Sequence, residues 1–179
     1  MPGNKMLRLK ILCFLILSLI STNSFGQWII LREEVNEELL CMAKNIYFES
    51  GNQPLAGKLA VGFVTINRVV SSLFPESICD VIYQSEYYTN NIGEEAPVIG
   101  RCQFSWYCDG KSDKPTDSYT WLQALEISRE ILDFNVLDIT SGIIDITEGS
   151  LWYHADYANP YWSQHLQKTV TIENHIFYK

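Results

Sequence analysis

One short stretch organises this chain, Ala43-Lys44-Asn45-Ile46-Tyr47-Phe48-Glu49-Ser50-Gly51. Apolar side chains recur around it with the spacing i, i+1, i+4, i+7 and i+8, at Leu39, Leu40, Ala43, Ile46 and Tyr47. On a helix this spacing gathers the apolar residues into one stripe that packs against a core. We therefore predict an amphipathic helix over residues 35–50 that stops before Gly51.

The carboxyl group of Glu49 lies at the edge of this apolar stripe, because Glu49 follows Ile46 by three positions. Apolar and aromatic neighbours hydrate a carboxylate poorly, which raises its pKa and keeps it protonated near neutral pH. A protonated carboxyl suits the cleavage of a glycosidic bond by general acid catalysis. The alternative is a solvated glutamate in front of a helix-stopping glycine.

The N-terminal segment, residues 1–26, predicts a signal peptide. Lys5, Arg8 and Lys10 form a basic region, an apolar run covers residues 11–20, and Ser24 and Gly26 are small residues near a cleavage site. The alternative is a membrane anchor, for which an apolar run of ten residues is short. We expect an exported protein, periplasmic or extracellular, with residues 27–179 as one domain and no stable membrane association after cleavage.

The charge of the chain excludes some partners. Without the three basic residues of the leader, ten lysines and arginines remain against 21 acidic residues, a formal charge of −11. Such a surface repels nucleic acid and anionic membranes. We also expect a monomer.

Four cysteines follow the leader: Cys41, Cys79, Cys102 and Cys108. An even number in an exported chain predicts disulfides, with three possible connectivities. Cys102 and Cys108 enclose five residues and would close a short loop, which by elimination leaves Cys41 for Cys79. The alternative is a zinc site, although Cys-x5-Cys is not a usual zinc knuckle and a matching histidine pair is missing.

The remaining pattern predicts an α+β fold that is mostly helical with a small antiparallel sheet. Asn52 as N-cap and Pro54 in the first turn open a second helix to about Val70, which is apolar most of the way round and therefore central. Further helices are predicted over residues 75–84 and 117–133, a long loop over residues 85–101, and a strand over residues 150–154. A C-terminal β-hairpin pairs residues 168–172 with 175–178.

Aromatic, amide and hydroxyl side chains cluster in two places, residues 101–110 and residues 152–162. Aromatic faces stack on the C–H surfaces of sugars, and amides and hydroxyls bond to sugar hydroxyl groups. The alternative is that Phe104, Trp152 and Trp162 simply fill the core.

In these and other segments the chain resembles the SleB/CwlJ-type cell wall hydrolases, the family of the spore-cortex-lytic enzymes, from about Leu40 to Lys179. The resemblance rests on the following blocks, in this order: Ala43-x-x-Ile46-Tyr47-Phe48-Glu49, Gly57-x-x-Ala60-Val61-x-x-Val64-x-x-Asn67-Arg68-Val69, Pro75-x-x-Ile78-Cys79-x-Val81-Ile82, Cys102-Gln103-Phe104-Ser105-Trp106-x-Cys108-Asp109-Gly110, Tyr153-His154-Ala155, Pro160-x-Trp162 and His175-x-Phe177-Tyr178.

The resemblance implies a lysozyme-like or lytic-transglycosylase-like domain that cleaves peptidoglycan glycan strands, with Glu49 as the catalytic residue. The candidates for substrate binding are Asn67, Gln103, Phe104, Ser105, Trp106, Tyr153, His154, Trp162 and His175. For the two histidines the alternative is a structural role, with His154 bonded to the backbone of its strand and His175 packed at the hairpin. Family members commonly carry Glu-Ala-Arg-Gly-Glu where this chain has Glu49-Ser50-Gly51-Asn52-Gln53. A glutamine cannot act as a base, so Gln53 favours a mechanism with a single carboxylate.

Three functions remain open at this point. A lytic transglycosylase needs only Glu49 as acid and then base, whereas a lysozyme-type hydrolase needs a second carboxylate, for which Asp80 and Asp109 are candidates. The third possibility is a peptidoglycan-binding protein without activity. A zinc hydrolase using His154, His165 and His175 is disfavoured because their spacing matches no compact metal motif, and we expect no metal or other cofactor.

Overall fold

The structure, a computed structural model, describes residues 37–137 and 144–179, so the predicted leader lies outside the described residues. The helices are α1 (residues 37–50), α2 (Leu55–Val69), α3 (Ile78–Ile82) and α4 (Ser118–Leu137). The strands are β1 (Ser85–Thr89), β2 (Glu95–Cys102), β3 (Trp152–Ala155), β4 (Lys168–Ile172) and β5 (His175–Tyr178), and 3₁₀ turns cover Ser105–Cys108 and Tyr161–His165. The fold class is α+β, as the sequence predicts.

Helix α1 buries one face, as its apolar spacing predicts. Met42, Ala43 and Ile46 are fully buried, whereas Leu40 is 39% exposed. The predicted stripe is therefore wrong at Leu40, because Met42 takes the place on the buried side. The buried face fixes the rotation of the helix and turns Glu49 toward the interior.

Helix α2 is the central helix of the fold. Ala60 and Val64 pack with Phe177 of the sheet, and on another side Gly62 lies against Ile131 of α4. A Cβ added at Gly62 would come within 2.3 Å of the Ile131 side chain, so a glycine permits this close approach of the two helices. A helix covered on several sides agrees with its nearly all-round apolar sequence.

The strands form two antiparallel sheets. β1 and β2 make a two-stranded hairpin, and β3, β5 and β4 make a three-stranded sheet in that order. The C-terminal hairpin of β4 and β5 lies where the sequence predicts it, and Glu173 in its turn has a positive φ of 50°. Strand β3 runs beside β5 and carries Tyr153 opposite Phe177.

The four cysteines among the described residues form two disulfides, Cys41–Cys79 and Cys102–Cys108, as predicted. The first joins α1 to α3, and the second joins the end of β2 to the 3₁₀ turn at Ser105–Cys108. Both disulfides thus hold segments that flank Glu49 in the fold.

The prediction of a long loop over residues 85–101 is wrong, because this segment forms β1 and β2. Its side chains are mostly exposed and its pairing is irregular, so the alternation that marks a half-buried strand is missing. The start of α2 also differs: Pro54 takes the N-cap position in an extended conformation, and no side chain caps the helix.

Two other helices differ in length from the prediction. Helix α3 is shorter, because Ser77 caps it by accepting a hydrogen bond from the backbone N–H of Asp80. Helix α4 starts where predicted, with Asp117 accepting from the N–H of Thr120, but runs beyond residue 133. Among the described residues, none of the helices has the length and apolar character that a membrane crossing requires.

Candidate active site

Glu49 opens onto a cavity of about 170 Å³. Helix α1 supplies Glu49, α2 supplies Arg68 and β3 supplies Tyr153. The rest of the wall comes from the segment that runs from the end of β2 to the start of the 3₁₀ turn: Cys102, Gln103, Phe104 and Ser105. Residues far apart in the sequence therefore meet at one carboxyl group.

Tyr153 fixes the orientation of the Glu49 carboxyl group. Its hydroxyl donates a hydrogen bond of 3.0 Å to Oε2 of Glu49. Burial and then the charge of Glu49 raise the pKa of Tyr153 well above its ordinary value of 10, so the phenol keeps its proton. Because Oε2 accepts from Tyr153, the other carboxyl oxygen, Oε1, is the one left to carry a proton.

The pKa of Glu49 is raised above its ordinary value, as the sequence predicts. Burial is the largest cause, since it disfavours the charged form; the hydrogen bond from Tyr153 and the charge of Arg68 act in the opposite direction. The site therefore favours the neutral acid but also provides two groups that stabilise the carboxylate.

Arg68 lines the same cavity, although it is not among the site residues predicted from the sequence. It is only 3% exposed, and burial lowers its pKa to about 10, so it remains a cation at neutral pH. Its Nε donates to the carbonyl of Leu151 at 2.8 Å, and its guanidinium carbon lies 5.1 Å and 4.9 Å from the ring centroids of Phe74 and Phe104. A signal existed: a charged residue near the end of an all-round apolar helix must be paired inside the protein.

Gln103 connects this cation to the cavity wall. The amide oxygen of Gln103 faces Arg68 and accepts hydrogen bonds from its Nη1 at 3.3 Å and its Nη2 at 3.0 Å. The backbone N–H of Gln103 donates to the carbonyl of Gln84, and the neighbouring Cys102 is held by its disulfide to Cys108. Both the side chain and the backbone of Gln103 are thus fixed.

Trp106 lies behind the cavity wall rather than in its lining. Its indole N–H donates to Oδ1 of Asn45 at 3.0 Å, and its ring stacks on Phe48 at 4.8 Å between centroids. Asn45 in turn donates to the hydroxyl of Thr65 in α2. This buried chain fixes the 3₁₀ turn against α1 and α2, which positions Ser105 and Gln103 indirectly.

Asn67 also lies outside the cavity lining. Its amide donates to Asp145, to Thr147 and to the carbonyl of Ser150, at 3.0 to 3.2 Å. These bonds attach the segment before β3 to helix α2. Asn67 therefore supports the strand that carries Tyr153.

His154 and Trp162 form a cluster with Tyr178, away from the cavity lining. Nδ1 of His154 donates to the carbonyl of Ala155, which leaves Nε2 to accept from the Tyr178 hydroxyl at 3.0 Å. Trp162 packs edge-on against both rings. Because strand neighbours point to opposite faces, His154 and Tyr153 serve different surfaces.

His175 packs behind Tyr153, with 5.2 Å between the ring centroids. It is 8% exposed, its Nδ1 is buried without a hydrogen-bond partner, and burial lowers its pKa. His175 and Phe177 are alternate residues of β5, and both rings contact the Tyr153 ring. The imidazole therefore supports Tyr153 by packing.

The two candidates for a second carboxylate have other partners. Asp80 accepts from the hydroxyl of Ser77 at 2.7 Å, as part of the helix cap. Asp109 is bound by the N–H and the ammonium group of Lys111, which lower its pKa. In the described ranges, the only carboxylate that lines the cavity is Glu49.

The sequence departure after Glu49 has a local structural basis. A Cβ on Gly51 would lie 2.4 Å from the carbonyl oxygen of Tyr47 and 3.0 Å from the Thr120 side chain. This backbone conformation has no room for the arginine that family members commonly carry here. Within residues 37–137 and 144–179, no group of three His, Cys, Asp or Glu side chains could hold a metal ion.

Comparison with known sequences supports a single family. The sequence model of a family described as cell wall hydrolase matches residues 52–178, beginning three residues after Glu49. The spore cortex-lytic enzymes of Bacillus subtilis (strain 168) and Oceanobacillus iheyensis are each 25% identical over 142 residues, or 79% of this chain. The chain spans only 37% and 41% of the length of these two relatives.

Solved structures show the same fold. The catalytic domain of the germination-specific lytic transglycosylase SleB from Bacillus anthracis aligns with a TM-score of 0.54 at 26% identity, covering 79% of this chain and 93% of that one. The catalytic domain of the Bacillus cereus SleB protein aligns with the same TM-score at 24% identity, covering 80% and 91%. The described residues therefore share the fold of these catalytic domains.

Proposed function

This chain belongs to the cell wall hydrolase family, and we propose that it cleaves peptidoglycan as a lytic transglycosylase. The bond cleaved is the β-1,4 linkage between N-acetylmuramic acid and N-acetylglucosamine. The names of the similar proteins, spore cortex-lytic enzyme and germination-specific lytic transglycosylase, support a substrate of this class.

One observation carries the proposal: a partly buried carboxyl group with a raised pKa lies in an open cavity, and Tyr153 occupies one of its two oxygens. In the first step, Oε1 of Glu49 donates its proton to the glycosidic oxygen. The C–O bond to the muramic acid C1 breaks, the N-acetylglucosamine end leaves as an alcohol, and C1 acquires oxocarbenium character.

In the second step, Glu49 acts as the base. The carboxylate, now stabilised by the Tyr153 hydroxyl and the Arg68 charge, accepts the proton of the muramic acid C6 hydroxyl. The C6 oxygen forms a bond to C1, which gives a 1,6-anhydro product and returns Glu49 to its starting protonation state. The two opposing influences on its pKa suit a group that must change protonation state within each cycle.

The lining of the cavity favours this route over hydrolysis. A hydrolase would need a second carboxylate about 5–9 Å from the first, to attack C1 or to activate a water molecule. Asp80 and Asp109 are engaged elsewhere, and Gln53 replaces the acid that family members commonly carry. A single carboxylate is sufficient when the attacking group belongs to the substrate itself.

The cavity wall supplies groups that suit sugar recognition. Ser105 is exposed at the cavity, and the fixed Gln103 amide lies beside it. We assign sugar contacts to these two residues, and supporting roles to Phe104, Trp106, Asn67, His154, Trp162 and His175. The two disulfides support action outside the cytoplasm, in the periplasm or beyond, where such bonds persist.

The proposal is tested by adding the purified protein, with both disulfides formed, to labelled sacculi and measuring the soluble label. We expect wild type to release soluble fragments, and we expect Glu49→Gln to release them at least about a hundredfold more slowly. Glu130→Gln, the same change at an exposed position of α4, is the control and should retain full activity. Binding to sacculi without release by the wild type would instead indicate a peptidoglycan-binding protein.

A further inference from the structure

A second cavity adjoins the Glu49 cavity. It has a volume of about 290 Å³ and lies at the base of the β1–β2 hairpin, and we refer to it as the hairpin recess; its lining consists of Gln84, Ser85, Glu86, Arg101, Cys102 and Gln103. Cys102 and Gln103 line both cavities. A substituent on a sugar bound beside Glu49 can therefore reach the hairpin recess without leaving the protein surface.

An irregularity of the hairpin shapes this recess. Ser85 pairs with Cys102, and Tyr87 pairs with Pro97. In β1 only Glu86 lies between these two pairs, whereas β2 has four residues there, 98–101. Gly100 within this bulge has a positive φ of 74°, which favours glycine. Bulges commonly redirect side chains next to active sites, and this one places Arg101 beside Glu86.

Arg101 is available to a ligand. Its Nη1 lies 3.9 Å from Oε1 of Glu86, and the two side chains are 65% and 68% exposed, so the pair contributes little to stability. The other cation at the two cavities, Arg68, is buried and already bound to Gln103 and to the Leu151 carbonyl. A guanidinium is well suited to bind a carboxylate through two parallel hydrogen bonds.

We infer that the hairpin recess binds the peptide carried by the muramic acid residue, and that Arg101 pairs with a carboxylate of that peptide. This inference rests on the proposed function, which places muramic acid beside Glu49. Peptidoglycan differs from other β-1,4 glycans by an acidic peptide on the lactyl group, and the recess offers one exposed cation among polar groups for it. Glu86 competes with the peptide carboxylate for Arg101.

The test compares Arg101→Gln with wild type on two substrates: peptide-bearing glycan strands and strands from which an amidase has removed the peptides. On peptide-bearing strands we expect KM to rise about three- to tenfold with little change in kcat. On stripped strands we expect the two proteins to agree within about twofold. Glu86→Gln should lower KM on peptide-bearing strands only, because it releases Arg101 from its competitor.

Arg129→Gln, at an exposed position of α4, is the matched control and should leave both substrates unaffected. An equal loss on both substrates would overturn the inference, since the peptide is absent from stripped strands and the only carboxylate there is the lactyl group that the amidase has set free. An unchanged KM on peptide-bearing strands would overturn it as well.

The proposed function and this inference fail in different ways. If wild type cleaved neither substrate, the proposed function would be wrong, and binding would still decide the role of Arg101. For that purpose Glu49→Gln and the double variant with Arg101→Gln are co-sedimented with both kinds of strand. Weaker binding of the double variant to peptide-bearing strands alone supports the inference, and equal binding of the two proteins contradicts it.

Discussion

The hydroxyl of Tyr153 donates a 3.0 Å hydrogen bond to Oε2 of Glu49, joining strand β3 to the end of helix α1 across 104 residues of sequence. This contact selects Oε1 as the acidic oxygen and lowers the pKa of Glu49 against the larger effect of burial. The orientation of the Glu49 carboxyl group therefore depends on this phenol, which also offsets part of the effect of burial on the pKa of Glu49.

The first prediction concerns Tyr153→Phe. Without the hydrogen bond, the pKa of Glu49 rises further, so the alkaline side of the pH–activity profile should move to higher pH. The lost orientation should lower activity at neutral pH about tenfold. Tyr157→Phe, which changes a phenol that is 90% exposed, should alter neither. An alkaline limb that stays in place or moves to lower pH would refute this role for Tyr153.

The second prediction concerns the stability cost of Glu49. The raised pKa means that the folded state holds the proton more tightly than the unfolded state. Stability is therefore lost as pH rises from the ordinary value of 4.5 through the raised pKa, and Glu49→Gln avoids this loss. The variant should be more stable than wild type at pH 8, with the difference vanishing near pH 4. Thermal unfolding at both pH values measures the difference in stability between the variant and wild type. A difference that is larger at pH 4 than at pH 8 would be inconsistent with a buried acid.

The third prediction concerns Arg68. Arg68→Met leaves the carbonyl of Leu151 and the amide of Gln103 without their donors, and should lower the free energy of unfolding by about 3 kcal/mol. It also removes a charge that stabilises the Glu49 carboxylate. Arg68→Lys keeps the charge but not the paired hydrogen bonds, so it should recover part of the activity and less of the stability. Denaturant unfolding measures the stability of Arg68→Lys and turnover measures its activity. If Arg68 had a purely structural role, stability and activity would recover to the same extent.

The fourth prediction separates the two disulfides. Cys41–Cys79 spans 38 positions and Cys102–Cys108 spans six. From loop entropy, replacing each pair by serines should cost about 4 and about 2 kcal/mol of stability, respectively. Activity measured well below the unfolding temperature should fall more when Cys102–Cys108 is replaced than when Cys41–Cys79 is replaced, because Cys102 lines the cavity and precedes Gln103. The same order in both measurements would show that the shorter loop does not position the site.

Much of this architecture is accessible from the sequence because it depends on local patterns. The edge position of Glu49 follows from helical spacing, and the C-terminal hairpin follows from two strand-like runs around Glu173-Asn174. Both disulfide pairs follow from an even count and one short spacing. In each case the tertiary structure agrees with the local preference.

The features that were missed depend on tertiary contacts. Strands β1 and β2 are mostly exposed and interrupted by a four-residue bulge, so no alternation marks them. Arg68 belongs to the central helix α2, where its charge is stable only because Leu151 and Gln103, from two other segments, meet it there. The sequence also groups Asn67 and His154 with the site, although their hydrogen bonds serve the scaffold.

The most direct test of the central claim is mass spectrometry of the soluble products that the purified, oxidised protein releases from sacculi, with Glu49→Gln as the control. A single carboxylate serving as acid and base predicts products ending in 1,6-anhydro-muramic acid, released by the wild type and absent with the variant. Products ending in reducing muramic acid would contradict the account, because they require an activated water molecule and hence a second carboxylate.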